Sequence, residues 1–406
     1  MTRPDDTDVG GLESVSSGRV ASLTGIRAVA AILVMLTHAA YTTGKYTHGY
    51  AGLVYSRMEI GVPIFFVLSG FLLFSPWVRA AAETDSDADG RRQPDSDADG
   101  RRQTDSVGYA PPSLRRYAWH RVRRIMPAYV ITVLAAYLLY HFRTAGPNPG
   151  HTWIGLFRNL TLTQIYTDDY LFSYLHQGLT QMWSLAVEAA FYVALPLLAY
   201  LLLVVLCRRQ WHPVRLVVGL AVLALISPAW LVLVHTTEFL PDGAPLWLPT
   251  YLMWFLGGML LAALLPLGVK AYAMVCVPLA LACYFIASTP IAGAPTTSPA
   301  ELREGLAKTL FYAVISTLLV APLALRGNDG ARGWYAQFTA SRPMVFLGEI
   351  SYEIFLIHLV TMELVMVEIL HFPVYTGSMF WLFAVTLVVT VPLAWLLHRL
   401  TRVRTP

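Results

Sequence analysis

Two ionisable side chains, Arg27 and His38, lie within one apolar stretch near the start of the chain, residues 20–41 (VASLTGIRAVAAILVMLTHAAY). A charged side chain inside a bilayer costs several kcal/mol, so such residues are usually kept for a function. In a helix, eleven residues return to within roughly 20° of the starting direction and advance by about 16 Å. The pair is therefore predicted to share one helix face, with a cation to hold an anionic substrate and an imidazole to move a proton. The alternative is that Arg27 extends to the interface and His38 caps the far end.

A carboxylate, Glu188, lies inside another apolar stretch, TQMWSLAVEAAFYVALP at residues 180–196, with Ser184 one helical turn earlier. An intramembrane carboxylate is a functional candidate. We expect Glu188 either to accept a hydrogen bond from His38 and orient its imidazole, or to pair with Arg27. The alternative is a purely structural partnership with one arginine.

Two arginines, Arg121 and Arg124, stand three residues apart in the segment 117–130, YAWHRVRRIMPAYV. This spacing places them on one helix face. Helix N-termini and arginine pairs both favour phosphate groups. The segment therefore predicts a phosphate site, although cationic residues also commonly flank a membrane helix on its cytoplasmic side.

Two further runs carry polar groups at membrane depth. Ser69 and Gly70, in GVPIFFVLSGFLLF at residues 61–74, are small enough for close approach of a ligand or of another helix. Near the C-terminal end, the run FLGEISYEIFLIH contains Glu349, Ser351, Tyr352, Glu353 and His358.

The composition identifies the class of protein. Hydrophobic residues make up 56% of the 406 residues and charged residues 13%, which excludes an ordinary soluble domain and predicts an all-α, polytopic membrane helical bundle. No nucleic-acid partner is expected. Segments of the length needed to cross a bilayer occur at 20–41, 59–79, 125–142, 183–206, 214–234, 247–268, 270–289, 306–325, 345–368 and 377–398.

The distribution of cationic residues predicts the orientation. With ten spans and the N-terminus inside, 22 Lys and Arg residues fall on the inner side and six on the outer side, with Arg27 left in a span. This excess predicts that both termini are cytoplasmic and that the protein spans the cytoplasmic membrane. Residues 1–19 and 401–406 are then cytoplasmic tails, the first of them disordered, around a transmembrane domain at 20–400.

A tandem decapeptide interrupts the loop after the second span: DSDADGRRQP at 85–94 and DSDADGRRQT at 95–104. It has too few apolar residues to form a core, so residues 81–110 are predicted to be a disordered cytoplasmic loop. The string resembles half of a calcium-binding loop but lacks the closing Glu. The three cysteines, Cys207, Cys276 and Cys283, have no metal-ligand spacing, and no metal site is predicted.

Five of these segments, in this order, resemble the acyltransferase-3 family of integral membrane O-acyltransferases. The resemblance covers nearly all of residues 20–400. The matching residues are Arg27 and His38 with ten residues between them, FFVLSGFLL at 65–73, Arg121-x-x-Arg124 with Pro127 and Tyr129, Trp183-Ser184-Leu185 with Glu188, Phe191, Tyr192 and Pro196, and Leu347-Gly348-x-x-Ser351-Tyr352 reaching His358.

The resemblance implies transfer of an acyl group, acetyl being the first candidate, from cytoplasmic acyl-CoA to a hydroxyl of an envelope glycolipid or polysaccharide, with Arg27 and His38 as the functional signature. We expect Arg121, Arg124 and Ser69 to bind the donor and Arg27 to contact its arm. His38 would be the general base, oriented by Glu188. A hydrogen bond to the thioester oxyanion would come from Ser184 or Tyr352, and His358 is a further candidate for substrate contact. Direct transfer and a covalent acyl-enzyme both remain open.

Departures and rival functions are also visible. Gln181 stands where the family often has His, and Glu353 replaces a common Gly. The acceptor could instead be a macrolide-type natural product. The outer segment 143–180 is rich in aromatic residues, which suits stacking on sugar rings but also an interfacial belt. The rival class is a transporter or flippase of lipid-linked sugars using Arg27, His38 and Glu188 as a proton relay, but no internal repeat is found.

Overall fold

The computed structural model describes residues 9–90, 112–143, 147–170, 175–295, 301–325 and 333–402, with side chains described from residue 20 onwards and not for 84–90. Within these ranges the chain is helical and contains no strand. The helices are α1 (Val9–Thr42), α2 (Gly49–Ser56), α3 (Gly61–Gly90), α4 (Leu114–Phe142), α5 (Trp153–Leu160), α6 (Trp183–Ala199), α7 (Pro213–Ala224), α8 (Ile226–Thr236), α9 (Leu248–Leu264), α10 (Ala273–Ala287), α11 (Leu302–Ala324), α12 (Trp334–Thr339), α13 (Arg342–Glu349), α14 (Ser351–Leu364) and α15 (Met379–Thr401). The predicted all-α polytopic bundle is confirmed.

The number of membrane crossings is close to the prediction but lower. In the described ranges, eight helical segments are long and apolar enough to cross a membrane, and a bent pair made by α13 and α14 brings the number to nine. The predicted span 270–289 corresponds to α10, which has only 15 residues. At about 1.5 Å per residue, α10 is shorter than the hydrocarbon core is thick.

Two segments predicted to be disordered are helical in part. Helix α1 begins at Val9, inside the predicted tail 1–19, and α3 continues to Gly90, inside the predicted loop 81–110. Adding a residue to a helix that already exists is far easier than nucleating one, which explains how both spans extend into polar sequence. Residues 91–111, with the rest of the decapeptide repeat, lie outside the described residues.

The predicted span 345–368 is a broken helix. Helices α13 and α14 meet at a bend of 72°. Ile350, at the break, has φ −99° and ψ 8°, outside the helical region. The Ser351 hydroxyl donates to the Gly348 carbonyl oxygen at 2.8 Å, a local bond that competes with the helical one.

Glycines set the closest helix contacts. A Cβ at Gly70 of α3 would lie 2.1 Å from the carbonyl oxygen of Phe255 in α9, so these backbones touch directly. The close approach predicted at Ser69-Gly70 is therefore made by a helix. A Cβ at Gly348 would likewise lie 2.0 Å from the Thr24 carbonyl oxygen, which presses α13 against the first half of α1.

Helices α1 and α14 run side by side in the same direction. Arg27 of α1 and Tyr352 of α14 line one cavity, and eleven residues further along α1, His38 contacts His358 of α14. The middle of α1 therefore faces the N-terminal end of α14, and the C-terminal part of α1 faces the middle of α14. This pairing positions most of the predicted site.

Candidate active site

A cavity, called the central cavity below, opens between α1, α3, α4, α6 and α14. Six of the nine predicted site residues line it: Arg27, Ser69, Arg124, Ser184, Glu188 and Tyr352. Residues from five helices meet there although they are distant in sequence. Arg121 lies one turn before Arg124 on α4 and interacts electrostatically with Arg27. His38 and His358 lie apart from this group.

Glu188 accepts two short hydrogen bonds in the central cavity. The hydroxyls of Ser69 and Tyr192 both donate to its Oε1 atom at 2.5 Å. The expectation that Glu188 orients the His38 imidazole is therefore wrong, because Glu188 faces Ser69 and Tyr192 instead. Sequence reasoning also passed over Tyr192, although its position four residues after Glu188 places it on the same helix face.

The arginines around the central cavity have unused hydrogen-bonding capacity. Among the described residues, Arg27, Arg121 and Arg124 have no hydrogen-bond or ion-pair partner, and the Nε atoms of Arg27 and Arg121 are buried without one. Three guanidinium groups thus lie near two carboxylates, Glu188 and Glu349, which both line the central cavity. Since a buried charge is stable only when it is compensated, this excess of positive charge favours an anionic ligand.

Both predicted oxyanion donors are engaged elsewhere. The Ser184 hydroxyl donates to the Gln181 carbonyl oxygen at 3.1 Å, and the Tyr352 hydroxyl donates to the Ile125 carbonyl oxygen at 3.0 Å. By contrast, the N-terminus of α14 lines the central cavity at Ser351 and has no side-chain cap. Its first backbone N–H groups lack helical partners and carry partial positive charge, which adds to the positive charge of the arginines in the cavity.

His38 is oriented by His358. The Nδ1 atom of His358 is 2.8 Å from the Phe355 carbonyl oxygen, so this nitrogen carries the proton and Nε2 is an acceptor. The Nδ1 atom of His38 is 3.1 Å from that Nε2 atom and 2.8 Å from the Val34 carbonyl oxygen, so it must be the donor. The tautomers follow from this network. The Nε2 atom of His38 therefore keeps its lone pair and has no partner among the described residues.

Two phenylalanines separate the imidazole pair from the central cavity. Phe65 and Phe355 both line the cavity, and their ring centroids are 6.2 Å apart in an edge-to-face arrangement. The Phe355 ring also contacts His358, with 5.8 Å between centroids. The arginines and the histidines thus lie on opposite sides of an aromatic layer, at two depths along α1.

A second cavity adjoins the first. It is called the entrance cavity because it shares Arg27, Arg124, Gly348 and Glu349 with the central cavity, and its remaining lining residues are Thr24, His398 and Arg402. The last helix therefore contributes to the site, which the sequence did not indicate. Among the described side chains, no group of three or more His, Cys, Asp or Glu residues is placed to hold a metal ion.

Comparison with known proteins identifies the family and nothing closer. The family model described as an acyltransferase domain matches residues 20–399. No curated protein and no solved structure matches the chain. The matched region runs from α1 to the last turn of α15 and includes every residue of both cavities except Arg402.

Proposed function

This chain belongs to the acyltransferase-3 family, and from that premise we propose that it moves an acyl group, in the first instance acetyl, from cytoplasmic acyl-CoA to a hydroxyl of a carbohydrate-containing envelope glycolipid or polysaccharide. The observation that carries this proposal is the unpaired Arg27, which lines both cavities. A guanidinium without a partner at membrane depth is stabilised when an anionic group binds to it.

The donor fits the two cavities in one orientation. The phosphates of CoA bind where the arginines are, around Arg27, Arg121 and Arg124. The uncharged pantetheine arm then extends into the central cavity and carries the thioester towards the aromatic layer of Phe65 and Phe355. A displacement of one of these rings brings the thioester to the imidazole pair.

His38 is the proposed general base, because its Nε2 lone pair is free and its ring is fixed through Nδ1. The acceptor hydroxyl gives its proton to Nε2 as its oxygen forms a bond to the thioester carbonyl carbon. The carbon–sulfur bond then breaks, and the proton passes from His38 to the departing thiolate, which leaves as free CoA. His358 accepts the hydrogen bond that holds the ring, so it is a positioning residue.

The polar groups of the central cavity have a supporting role in this proposal. Glu188, held by Ser69 and Tyr192, balances the charge of the arginines before and after the donor binds.

The proposed direction of transfer rests on the predicted orientation of the bundle. Arg402, directly after α15, and Thr24 of α1 line the entrance cavity, so it lies on the side predicted to be cytoplasmic from the excess of cationic residues. His38 lies near the opposite end of α1, and the acceptor would reach it from outside the cytoplasmic membrane. Helix α5 carries the exposed side chains of Trp153 and Phe157 on that side, and aromatic rings suit stacking on sugars.

The test is a transfer assay on purified, detergent-solubilised protein. Radiolabelled acetyl-CoA is supplied with envelope lipid and polysaccharide extracts, and in a separate arm with a macrolide. We expect wild type to label an envelope acceptor and His38→Ala to lose about 10²- to 10⁴-fold in rate, as for other general bases. His235→Ala is the matched control, because His235 makes the same Nδ1 contact of 2.8 Å to the carbonyl four residues earlier, on exposed α8.

Three outcomes contradict the proposal in different ways. Transfer that survives both His38→Ala and Arg27→Ala removes these two residues from the mechanism. Labelling of the macrolide alone changes the acceptor class. A wild-type protein that binds no CoA thioester of any chain length, but moves lipid-linked sugars across vesicles, is a transporter.

A further inference from the structure

Glu353, the carboxylate that departs from the usual glycine of the family, forms a buried pair with a histidine from another helix. Its Oε1 atom is 3.0 Å from the Nδ1 atom of His398 in the last turn of α15. The Glu353 side chain is 7% exposed and that of His398 is 23% exposed. The second oxygen of Glu353, Oε2, is buried without a partner. The mechanism proposed above uses neither residue.

His398 faces the entrance cavity while Glu353 stands behind it. The entrance cavity is lined by His398 but not by Glu353. Since Nδ1 is held by the carboxylate, Nε2 is the nitrogen that remains for a ligand, and it has no partner among the described residues. A carboxylate behind a histidine fixes the orientation of the ring, an arrangement also used at other binding sites, and an imidazolium ring can donate from both of its nitrogens.

The charge of the entrance cavity selects the kind of ligand. Arg27, Arg124 and Arg402 surround it together with His398, and Glu349 is the one carboxylate in its lining. Guanidinium and imidazolium groups bind phosphate oxygens through charge-assisted hydrogen bonds. Because the entrance cavity shares Arg27 and Arg124 with the central cavity, a phosphate bound in the first can belong to a molecule whose other end lies in the second.

We propose that His398, held by Glu353 and assisted by Arg402, is the binding residue for a phosphate group of the nucleotide part of the donor. This inference rests on the proposed function, because it takes the donor to be a CoA thioester. In this proposal, Glu353 of α14 and His398 of α15 act together with the arginines of α1 and α4 to select a donor that carries phosphate groups. His398 donates from Nε2 to a phosphate oxygen, and Glu353 acts through His398 as a positioning residue.

The experiment compares three donors that carry progressively less of the nucleotide part: acetyl-CoA, acetyl-3′-dephospho-CoA and S-acetylpantetheine, which has neither the phosphates nor the adenosine. Transfer kinetics are measured for wild type, His398→Ala, His398→Gln and Glu353→Gln. Arg399→Ala is the matched control, since Arg399 is the next residue and a cation, but stacks on Trp395 at 4.4 Å instead of lining the entrance.

We expect His398→Ala to raise the KM for acetyl-CoA about ten- to a hundredfold, the usual effect of losing one charge-assisted hydrogen bond, with kcat retained. The KM for S-acetylpantetheine should not change. His398→Gln, which keeps an N–H donor, should recover part of the loss, and Glu353→Gln should show a smaller rise in KM. The response to acetyl-3′-dephospho-CoA identifies which phosphate is bound.

Distinct results overturn the two proposals. If wild type transfers acetyl groups but His398→Ala changes the KM of all three donors equally or not at all, His398 is structural and the donor assignment stands. If wild type neither binds nor uses any CoA thioester, the proposed function itself fails.

If phosphatidylglycerol raises the Tm of wild type but not of His398→Ala, while the KM for acetyl-CoA is unchanged, the phosphate belongs to a lipid headgroup. Should Glu353→Gln fail to fold, the His398→Gln comparison still decides.

Discussion

Arg27 and Arg57 are two arginines of the same bundle in opposite states. Arg57, in the turn between α2 and α3, is completely buried, and its guanidinium donates to the carbonyl oxygens of Ala287 at 3.0 Å, Ala292 at 2.9 Å and Gly293. Arg27 has no such acceptor among the described residues and lines two cavities. Both residues are arginines within an apolar helical bundle. They differ in whether the protein itself supplies hydrogen-bond acceptors for the guanidinium group.

The partners of Arg57 come from a helix end. Ala287 is the last residue of α10. The last carbonyl groups of a helix receive no hydrogen bond from N–H groups of the same helix, and they carry partial negative charge. Arg57 therefore caps the short α10 and fixes it to the start of α3. A buried cation whose donors are satisfied by the fold helps to hold it together, whereas Arg27, which has no such acceptor among the described residues, is proposed to bind a ligand.

The largest effect is expected for Arg57→Met. This change leaves three carbonyl oxygens without their donor and should lower the free energy of unfolding by about 3–5 kcal/mol, as for other broken buried charge contacts. Thermal unfolding in detergent measures it. Arg303→Met is the control, because Arg303 is exposed and pairs only with Glu301. If Arg57→Met had the same Tm as wild type, Arg57 would not be a stabilising residue and the proposed difference from Arg27 would be wrong.

Arg27→Met should give the opposite result. Because Arg27 has no hydrogen-bond or ion-pair partner within the described residues, its removal should leave the Tm unchanged or raise it slightly. The KM for acetyl-CoA should rise about ten- to a hundredfold, corresponding to one charge-assisted contact with the donor. Thermal unfolding and transfer kinetics on the same preparation separate these effects. A Tm loss as large as that of Arg57→Met would make Arg27 structural.

A titratable side chain can also be buried in its neutral form, and His176 is an example. This side chain, outside the spans, lies against Tyr137 at 4.4 Å between ring centroids, and burial lowers its pKa to about 3. The unfolded chain binds a proton near pH 6.5, so this contribution to stability is complete above that pH and is lost as the pH falls towards 3.

At pH 5 the loss amounts to about 2 kcal/mol. We therefore expect His176→Gln to flatten the decline of the Tm between pH 8 and pH 5, while the exposed-site control His235→Gln leaves it as in wild type. Parallel curves for wild type and His176→Gln would show that His176 can be protonated in the folded state.

The smallest effect is expected for Lys308→Met. Lys308 forms an ion pair of 2.6 Å with Glu59, which also accepts a hydrogen bond from Tyr312 at 2.8 Å. Glu59 keeps this second partner and is 35% exposed, so we expect a loss of about 1 kcal/mol, measured by thermal unfolding. If Lys308→Met lowered the free energy of unfolding as much as Arg57→Met does, the Lys308–Glu59 ion pair would be a main source of stability in this region.

The sequence predicted the parts of the structure that depend on apolar length and helical spacing. Most spans follow from these two rules, and so does the placement of Arg27 and Glu188 around one cavity. It did not predict the partners of single side chains, because those depend on which helices are neighbours. Arg57 is one of the six cations that the sequence places on the outer side, but its side chain is buried in the structure. Glu188 was assigned to His38, but contact between α1 and α14 gives that place to His358.

The break at Ile350 shows the same limit at the level of the backbone. Its sequence, LGEISYE, contains no proline and continues an apolar span. The bend results from the packing of Gly348 on Thr24 and from the hydroxyl of Ser351, and both effects require α1 to be in place. His398 and Arg402, at the end of α15, gave no signal as site residues either, since cations at a helix end are common.

The meeting of α1 and α15 at the entrance cavity has a consequence for biosynthesis. Thr24 and Arg27 leave the ribosome early, and His398 and Arg402 among the last of the described residues, yet they line the same opening. A nascent chain therefore has no complete entrance until α15 has inserted. If the entrance holds the donor as we propose, a partially synthesised protein lacks part of its donor site.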